Sequence, residues 1–330
     1  MHLGLCQYAL PTWVERHEIL ELVRLAARLG LNAVEFDPLR VFGRSAFGAD
    51  NILKETENSS LDLEKLHPLR DEIRRLGLRV VIATGGTDRA HLRQMLGAAK
   101  VIGANVVRTV LSGVLCGERE KITGGWRAHL DKSLADFREV IGDYEHAGIA
   151  LAVENHQDLT SGELVWLCEQ VGSDAFGVNL DTGNPLAVGE DFFSYACRVA
   201  PFVKNIHLKD YGLLMTPTGF ALFRCELGKG VLNIPGLLDL FRDRDLCVNV
   251  ELAALQARPI RILDADWQAQ FADRTAKGFC DLAEWARTRA ISPDTDIRTA
   301  MERGASEEEI AEFELAQVET SVKFVQSLNG

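Results

Sequence analysis

Eight short β-rich apolar runs alternate with eight longer stretches of helical periodicity between residues 2 and 289. The runs 2–10, 32–36, 78–84, 105–110, 149–154, 176–181, 203–209 and 247–252 read as strands. The stretches 18–30, 61–77, 88–103, 127–148, 161–172, 191–200, 234–244 and 264–289 read as helices, the first two stopped by Gly30 and Gly77. Repeated βα units demand a parallel sheet with right-handed crossovers. Eight of them in about 290 residues predict a closed (β/α)₈ barrel over 1–290 rather than an open sheet. No GxGxxG or Walker A sequence follows the first strand, which weighs against dinucleotide binding. The surplus of the 330 residues falls in loops 37–60, 112–126 and 211–226 and in the tail 291–330. Ser306 and Glu309 form a capping-box signature. After it, Ile310, Phe313, Val318, Val322, Val325 and Leu328 keep roughly helical spacing. The tail is therefore expected to be a helical extension packed on the barrel or at a subunit interface of an oligomer.

Apolar residues make up 47% and charged residues 25%, which excludes disordered and disulfide-scaffold classes. Apolar runs fall short of the roughly 20 residues that span a bilayer, so no membrane partner is expected. The opening MHLGLCQYALP shows no secretory leader. A net charge of −12 argues against a nucleic-acid partner, whose phosphates call for a basic surface. Seven cysteines at 6, 116, 168, 197, 225, 247 and 280, none in CxxC spacing, read as reduced, buried thiols of a cytoplasmic protein.

Chemistry concentrates at strand ends, where barrels of this kind place their sites. The fifth strand ends in Glu154-Asn155-His156 and the sixth in Asn179-Leu180-Asp181. The seventh ends in Asn205-Ile206-His207-Leu208-Lys209-Asp210 and the eighth in Asn249-Val250-Glu251. Period-two alternation puts Glu154 with His156, Asn179 with Asp181, Asn205 with His207 and Lys209, and Asn249 with Glu251. Leu180, Ile206, Leu208 and Val250 then face the helices. Polar residues inward and apolar residues outward invert the usual pattern, and unpartnered burial would cost several kcal/mol per group, about 2–7. A metal or a polar substrate compensates. Glu154, Asp181, His207 and Glu251 make a hard, oxygen-rich donor set that suits Mn²⁺ first, then Mg²⁺ or Co²⁺, with Zn²⁺ or Fe²⁺ next. Alone, each would be read as a cap, a salt-bridge partner, a core histidine or a turn residue; the pattern on four successive strands overrides that.

The stretches VENHQDLTSGEL (153–164), GVNLDTGNP (177–185), KNIHLKD (204–210), LGKGVLNIPGLLDLF (227–241) and VNVEL (248–252) resemble the xylose isomerase-like TIM-barrel superfamily. The resemblance implies sugar isomerase or epimerase chemistry. In its keto-sugar 3-epimerases the first and last glutamates, here Glu154 and Glu251, bind the metal and exchange the proton. Those enzymes carry a histidine three residues after the ligand aspartate, where this chain has Asn184. Glu154-Asn155-His156, the Asp181–Asn184 run, the Trp126-containing loop and the long C-terminus look more like the large subunits of bacterial C-glycoside deglycosidases. That branch cleaves 3-oxo-glycosides by elimination and works with a small β-rich partner subunit.

The expected chemistry is proton abstraction beside a sugar carbonyl through a metal-stabilised enediolate. His156 is the leading base, with Glu154 or Glu251 as runner-up. Lys209, Glu35, Arg108 and Asn184 are the expected substrate contacts. Reprotonation would make an isomerase or epimerase, and loss of a β-substituent a lyase. A DNA-repair endonuclease on this barrel needs three metals and more histidine than the eight here, six of which (2, 17, 67, 91, 129, 146) lie outside the motifs. The intact ligand set argues against a non-catalytic binding subunit.

Overall fold

A computed structural model describes residues 1–42, 61–253 and 256–328. Eight parallel strands close a barrel: β1 (His2–Cys6), β2 (Ala33–Phe36), β3 (Arg79–Ala83), β4 (Val106–Thr109), β5 (Ala150–Glu154), β6 (Phe176–Asp181), β7 (Val203–Leu208) and β10 (Cys247–Val250), with β10 pairing both β7 and β1. Among the described residues the α-helices are α1 (Pro11–Glu15), α2 (Ile19–Arg28), α3 (His67–Leu76), α4 (Arg89–Ile102), α5 (Trp126–Ala147), α6 (Ser161–Val171), α7 (Phe192–Val199), α8 (Ile234–Leu240), α9 (Ala265–Gln268), α10 (Ala276–Arg287) and α11 (Glu307–Ser327). The first strand is shorter than its apolar run, because residues 7–9 turn into a 3₁₀ segment. Most of the 37–60 loop, from residue 43, lies outside the described residues.

The interior is stacked in chemically distinct layers. Ala33, Val81, Val106, Ala152 and Cys247 make a small apolar plug. Above it Asn179, Asn205, Asn249 and Glu35 form a buried polar layer. Gly4 makes room for that layer, since a Cβ there would lie 2.1 Å from Asn249 Oδ1. The next layer holds the charged strand ends. Leu180, Ile206, Leu208 and Val250 face outward into the barrel–helix core, as alternation requires.

Further expectations change. Residues 211–226 are not an open loop: β8 (Tyr211–Thr216) and β9 (Gly219–Arg224) form an antiparallel hairpin, extended by β11 (Arg258–Ile260). The helix expected over 264–289 is broken into α9 and α10, and α10 packs on the hairpin. The helix packed on β10 and α1 is instead α11. Its Val318, Val322 and Val325 are buried, each worth about 1.5–3 kcal/mol. Glu314 accepts from Thr12 and from the Trp13 amide, and Gln326 donates to the Leu29 carbonyl. Ser306 and Glu309 do form the capping box that opens α11. Of the seven cysteines, all unpaired, Cys197 and Cys280 are exposed rather than buried. No described helix is long and apolar enough to cross a membrane.

Candidate active site

Glu35, at the end of β2, is fully buried and saturated with donors. Arg108 Nε (3.1 Å) and His207 Nε2 (2.8 Å) meet its Oε1; Asn205 Nδ2 (2.9 Å) and Asn249 Nδ2 (3.0 Å) meet its Oε2. Burial alone would raise its pKa, but His207, Arg108 and Asn205 outweigh it and hold the carboxyl at about 2. Glu35 therefore stays ionised and fixes His207 through Nε2. The other ring nitrogen, Nδ1, is buried with no hydrogen-bond partner and stands 3.5 Å from Glu154 Oε2.

Ligand atoms of Glu154, Asp181 and His207 lie within 4.8 Å of one another. Arg108 bridges beneath them, 3.3 Å from Glu154 Oε2, with Nη1 donating to the Thr84 carbonyl. Asp181 Oδ1 accepts from the amides of Gly183 and Asn184, while its Oδ2 meets Lys209 Nζ at 2.7 Å. Lys209 also reaches Glu251 Oε2 at 2.5 Å, so Glu251 joins the cluster through the ammonium. Burial raises the Asp181 carboxyl, with Glu251 and Glu154 adding to the rise against the pull of Lys209. Burial would lower His207, yet Glu35 and Glu154 carry it up to about 9.

Charge counting tests whether a metal fits. Four carboxylates, Glu35, Glu154, Asp181 and Glu251, face two permanent cations, Arg108 and Lys209, leaving two negative charges in a buried site. A divalent cation with His207 neutral cancels them. The unpartnered Nδ1 and the converging oxygens supply the donors, and a carboxylate behind the imidazole is the usual support for a metal-binding histidine. A second grouping, Cys6, Glu35 and His207, fits less well, because Glu35 is already spent on its four donors.

His156 lies two residues past the end of β5 at Glu154, and its Nδ1 is buried without a partner. Burial lowers its pKa, so the ring is neutral near pH 7. Segment 112–119 grips the two residues after it. The Gly117 amide donates to the Gln157 carbonyl, the Cys116 amide to Gln157 Oε1, Ser112 Oγ to Asp158 Oδ2 and Arg119 Nε to the Asp158 carbonyl. Arg119 is in turn sandwiched between the Trp126 and Phe271 rings at 4.5 and 4.4 Å and pairs with Glu163. Gln157 Nε2 spans to Asn184 Oδ1 and the Tyr211 hydroxyl, both at 3.4 Å. Sequence reasoning missed Gln157, Asp158, Ser112 and Tyr211; the polar run directly after the Glu154–His156 motif was the available signal. The glycine-rich 227–232 segment has its amides spent on a neighbour: those of Gly228, Gly230 and Leu232, with that of Tyr211, all donate to the Asp210 carboxylate.

Asp158 gives a pH prediction. Burial pushes its carboxyl up to about 7 despite the Ser112 hydrogen bond. The folded value exceeds the unfolded value of about 3.9, so the folded state holds the proton more tightly. The cost of ionising it is absent below about pH 4, grows with pH and is complete above about 7. Asp158→Asn should therefore gain stability relative to wild type as pH rises from 4 to 8, by a few kcal/mol at about 1.4 per pKa unit. Urea denaturation at both pH values checks this; a pH-independent difference contradicts it.

Comparison with known proteins agrees with the geometry. The family described as "Xylose isomerase-like TIM barrel" matches residues 23–271. A 3-oxo-isoapionate decarboxylase of Pectobacterium atrosepticum is 25% identical over 251 residues, 76% of this chain and 84% of the relative. The uncharacterized protein YihM of Escherichia coli is 26% identical over 179 residues, 54% of this chain and 52% of that protein. Among solved structures, a D-psicose 3-epimerase determined with D-fructose superposes with a TM-score of 0.57 at 16% identity, covering 98% of this chain and 99% of its own. The probable 3-DHS dehydratase AsbF of Bacillus anthracis gives 0.54 at 13% identity, covering 83% and 100%. Such identities speak for the fold alone. The long family match, laid on a closed eight-stranded barrel, makes this chain a member of the xylose isomerase-like TIM-barrel family.

Proposed function

We propose that the chain is a divalent-metal-dependent enzyme that takes a proton from the carbon beside an oxo-sugar carbonyl and then expels a substituent, a lyase acting on 3-oxo-glycosides. One observation carries this reading: His207 is pinned through Nε2 to Glu35, so that its free Nδ1 meets the Glu154 and Asp181 oxygens. Glu154, Asp181, His207 and Glu251 would hold the metal, Mn²⁺ by donor type, which would polarise the sugar carbonyl and stabilise negative charge on its oxygen. His156 accepts the proton. It is neutral, partly accessible and oriented by the 112–119 clamp. Glu251 or Glu154 is the alternative base.

Glu35 and Arg108 are assigned to holding His207 and Glu154 rather than to touching sugar, because both are buried and fully engaged. Substrate contact falls to Lys209 and Asn184, whose Nδ2 is unpartnered. A cavity of about 570 Å³, walled in part by Gly86, His91, Ser112, His129 and Lys132, meets the site at Ser112, which bonds Asp158. The name of the P. atrosepticum relative, a decarboxylase of a 3-oxo compound, supports an oxo-sugar substrate. The alternative is a keto-sugar isomerase or 3-epimerase, in which the enediolate is reprotonated instead.

The test incubates Mn²⁺-loaded protein, with and without a small β-rich partner subunit, with a 3-oxo-glucoside and with free ketohexoses. Aglycone release without epimer is expected; epimer alone overturns the lyase. Glu35→Gln is expected to weaken Mn²⁺ binding by about 10–100-fold, since His207 loses its charged support. Calorimetric titration reads this, and unchanged affinity removes Glu35 from the metal's support.

A further inference from the structure

Lys209 does the electrostatic work of a metal in the wrong chemical form. Its side chain is buried, and its Nζ lies 2.7 Å from Asp181 Oδ2 and 2.5 Å from Glu251 Oε2. Both carboxylates belong to the proposed ligand set. The three groups that converge within 4.8 Å are Glu154, Asp181 and His207; Glu251 stands outside that group and is tied to the ammonium. The Tyr211 ring centroid lies 5.9 Å from the same Nζ, an aromatic face on which an ammonium released from the carboxylates can rest.

Two buried carboxylates with no cation between them repel and are poorly solvated. An ammonium on a flexible stem relieves this, and as a compact point charge without a fixed planar geometry it can swing from one partner to another. We propose that Lys209 is an internal stand-in for the divalent metal, holding Asp181 and Glu251 in the metal-free protein and giving them up towards Tyr211 and the substrate when the metal binds. The inference rests on the metal reading above. It adds an order of events: the metal takes Asp181 and Glu251 first, and only then is the ammonium free to meet a sugar oxygen. It also sets affinity, because the metal must displace a resident cation.

The test is Mn²⁺ binding, followed by calorimetry and by the electron paramagnetic resonance of free Mn²⁺, in wild type and Lys209→Met. The variant should bind Mn²⁺ at least tenfold more tightly, melt at lower temperature when metal-free, and gain more in melting temperature on adding Mn²⁺. Equal or weaker binding by a folded variant overturns the proposal. Should Lys209→Met fail to fold without metal, wild-type crystals soaked in Mn²⁺ decide. A metal signal with Nζ withdrawn from both carboxylates supports the stand-in, and Nζ still bonded to both overturns it. If wild type takes up none of Mn²⁺, Mg²⁺, Co²⁺ or Zn²⁺, the metal reading itself falls and the stand-in with it. Metal bound without displacement sinks the stand-in alone.

Discussion

Replacing Glu154 by glutamine is expected to abolish metal binding and turnover together while leaving the metal-free fold intact. The glutamate oxygen that faces His207 Nδ1 at 3.5 Å also lies 3.3 Å from Arg108 Nε. An amide is nearly the same shape but carries no charge, so it removes one of the four negative charges that a dication would balance. Metal content after gel filtration should drop from near one equivalent to background. Turnover should fall by at least the roughly 10²–10⁴-fold of a lost acid–base group, since the polarising ion goes with it. The sign of the stability change is informative. Without metal, His207 is protonated near pH 7 and Glu154 faces both it and Arg108, so neutralising Glu154 should lower the melting temperature of the metal-free protein without unfolding it. Unchanged metal content and turnover in Glu154→Gln would overturn the whole site assignment.

His156→Ala should separate what Glu154→Gln merges. The imidazole stands two residues beyond Glu154 with its Nδ1 unpartnered, and no ligand group among the described residues includes it. Metal should therefore be retained at wild-type level, while turnover falls by roughly 10²–10⁴-fold, the usual range for a general base. The pH–rate profile should lose the acid limb that a neutral imidazole imposes. Because burial lowers the His156 pKa, that limb in wild type should lie below the ordinary histidine value of about 6.5. Loss of metal in His156→Ala would instead make the ring a ligand.

Much of this was readable along the chain, and the reasons are physical. Alternation with period two is a local rule, so Glu154 with His156 and Asn205 with His207 and Lys209 could be set on one face from sequence alone. What spans distant parts of the chain could not. Glu35 meets Asn205 across 170 positions and Asn249 across 214, and nothing near residue 35 announces either partner. Lys209 lies two residues after His207 in sequence, yet its bonds to Asp181 and Glu251 depend on three strands being brought together. The 211–224 hairpin was missed, although Pro217 and Thr218 separate two runs rich in β-formers, a turn signal that the helix–strand rhythm of the barrel obscured. The break between α9 and α10 was hidden by apolar spacing that continues through it, and helical periodicity cannot say which helix a given strand will receive.

The position of α11 carries a consequence for how the chain folds. Most barrel contacts join near neighbours in sequence and can form as each unit appears. The seam between β1 and β10 is different, because its covering helix begins at residue 307, and the Thr12–Glu314 hydrogen bond closes a loop of 302 residues. Contacts of such separation form late, after the entropy of closing the loop has been met. During vectorial synthesis all eight barrel strands are complete by residue 250, yet the faces of β10 and α1 that α11 covers lack that cover until residue 327 is made. In that interval the exposed flank is open to chaperones and to other nascent copies. The first α-helix synthesised, α1, is thus among the last elements to gain its full cover.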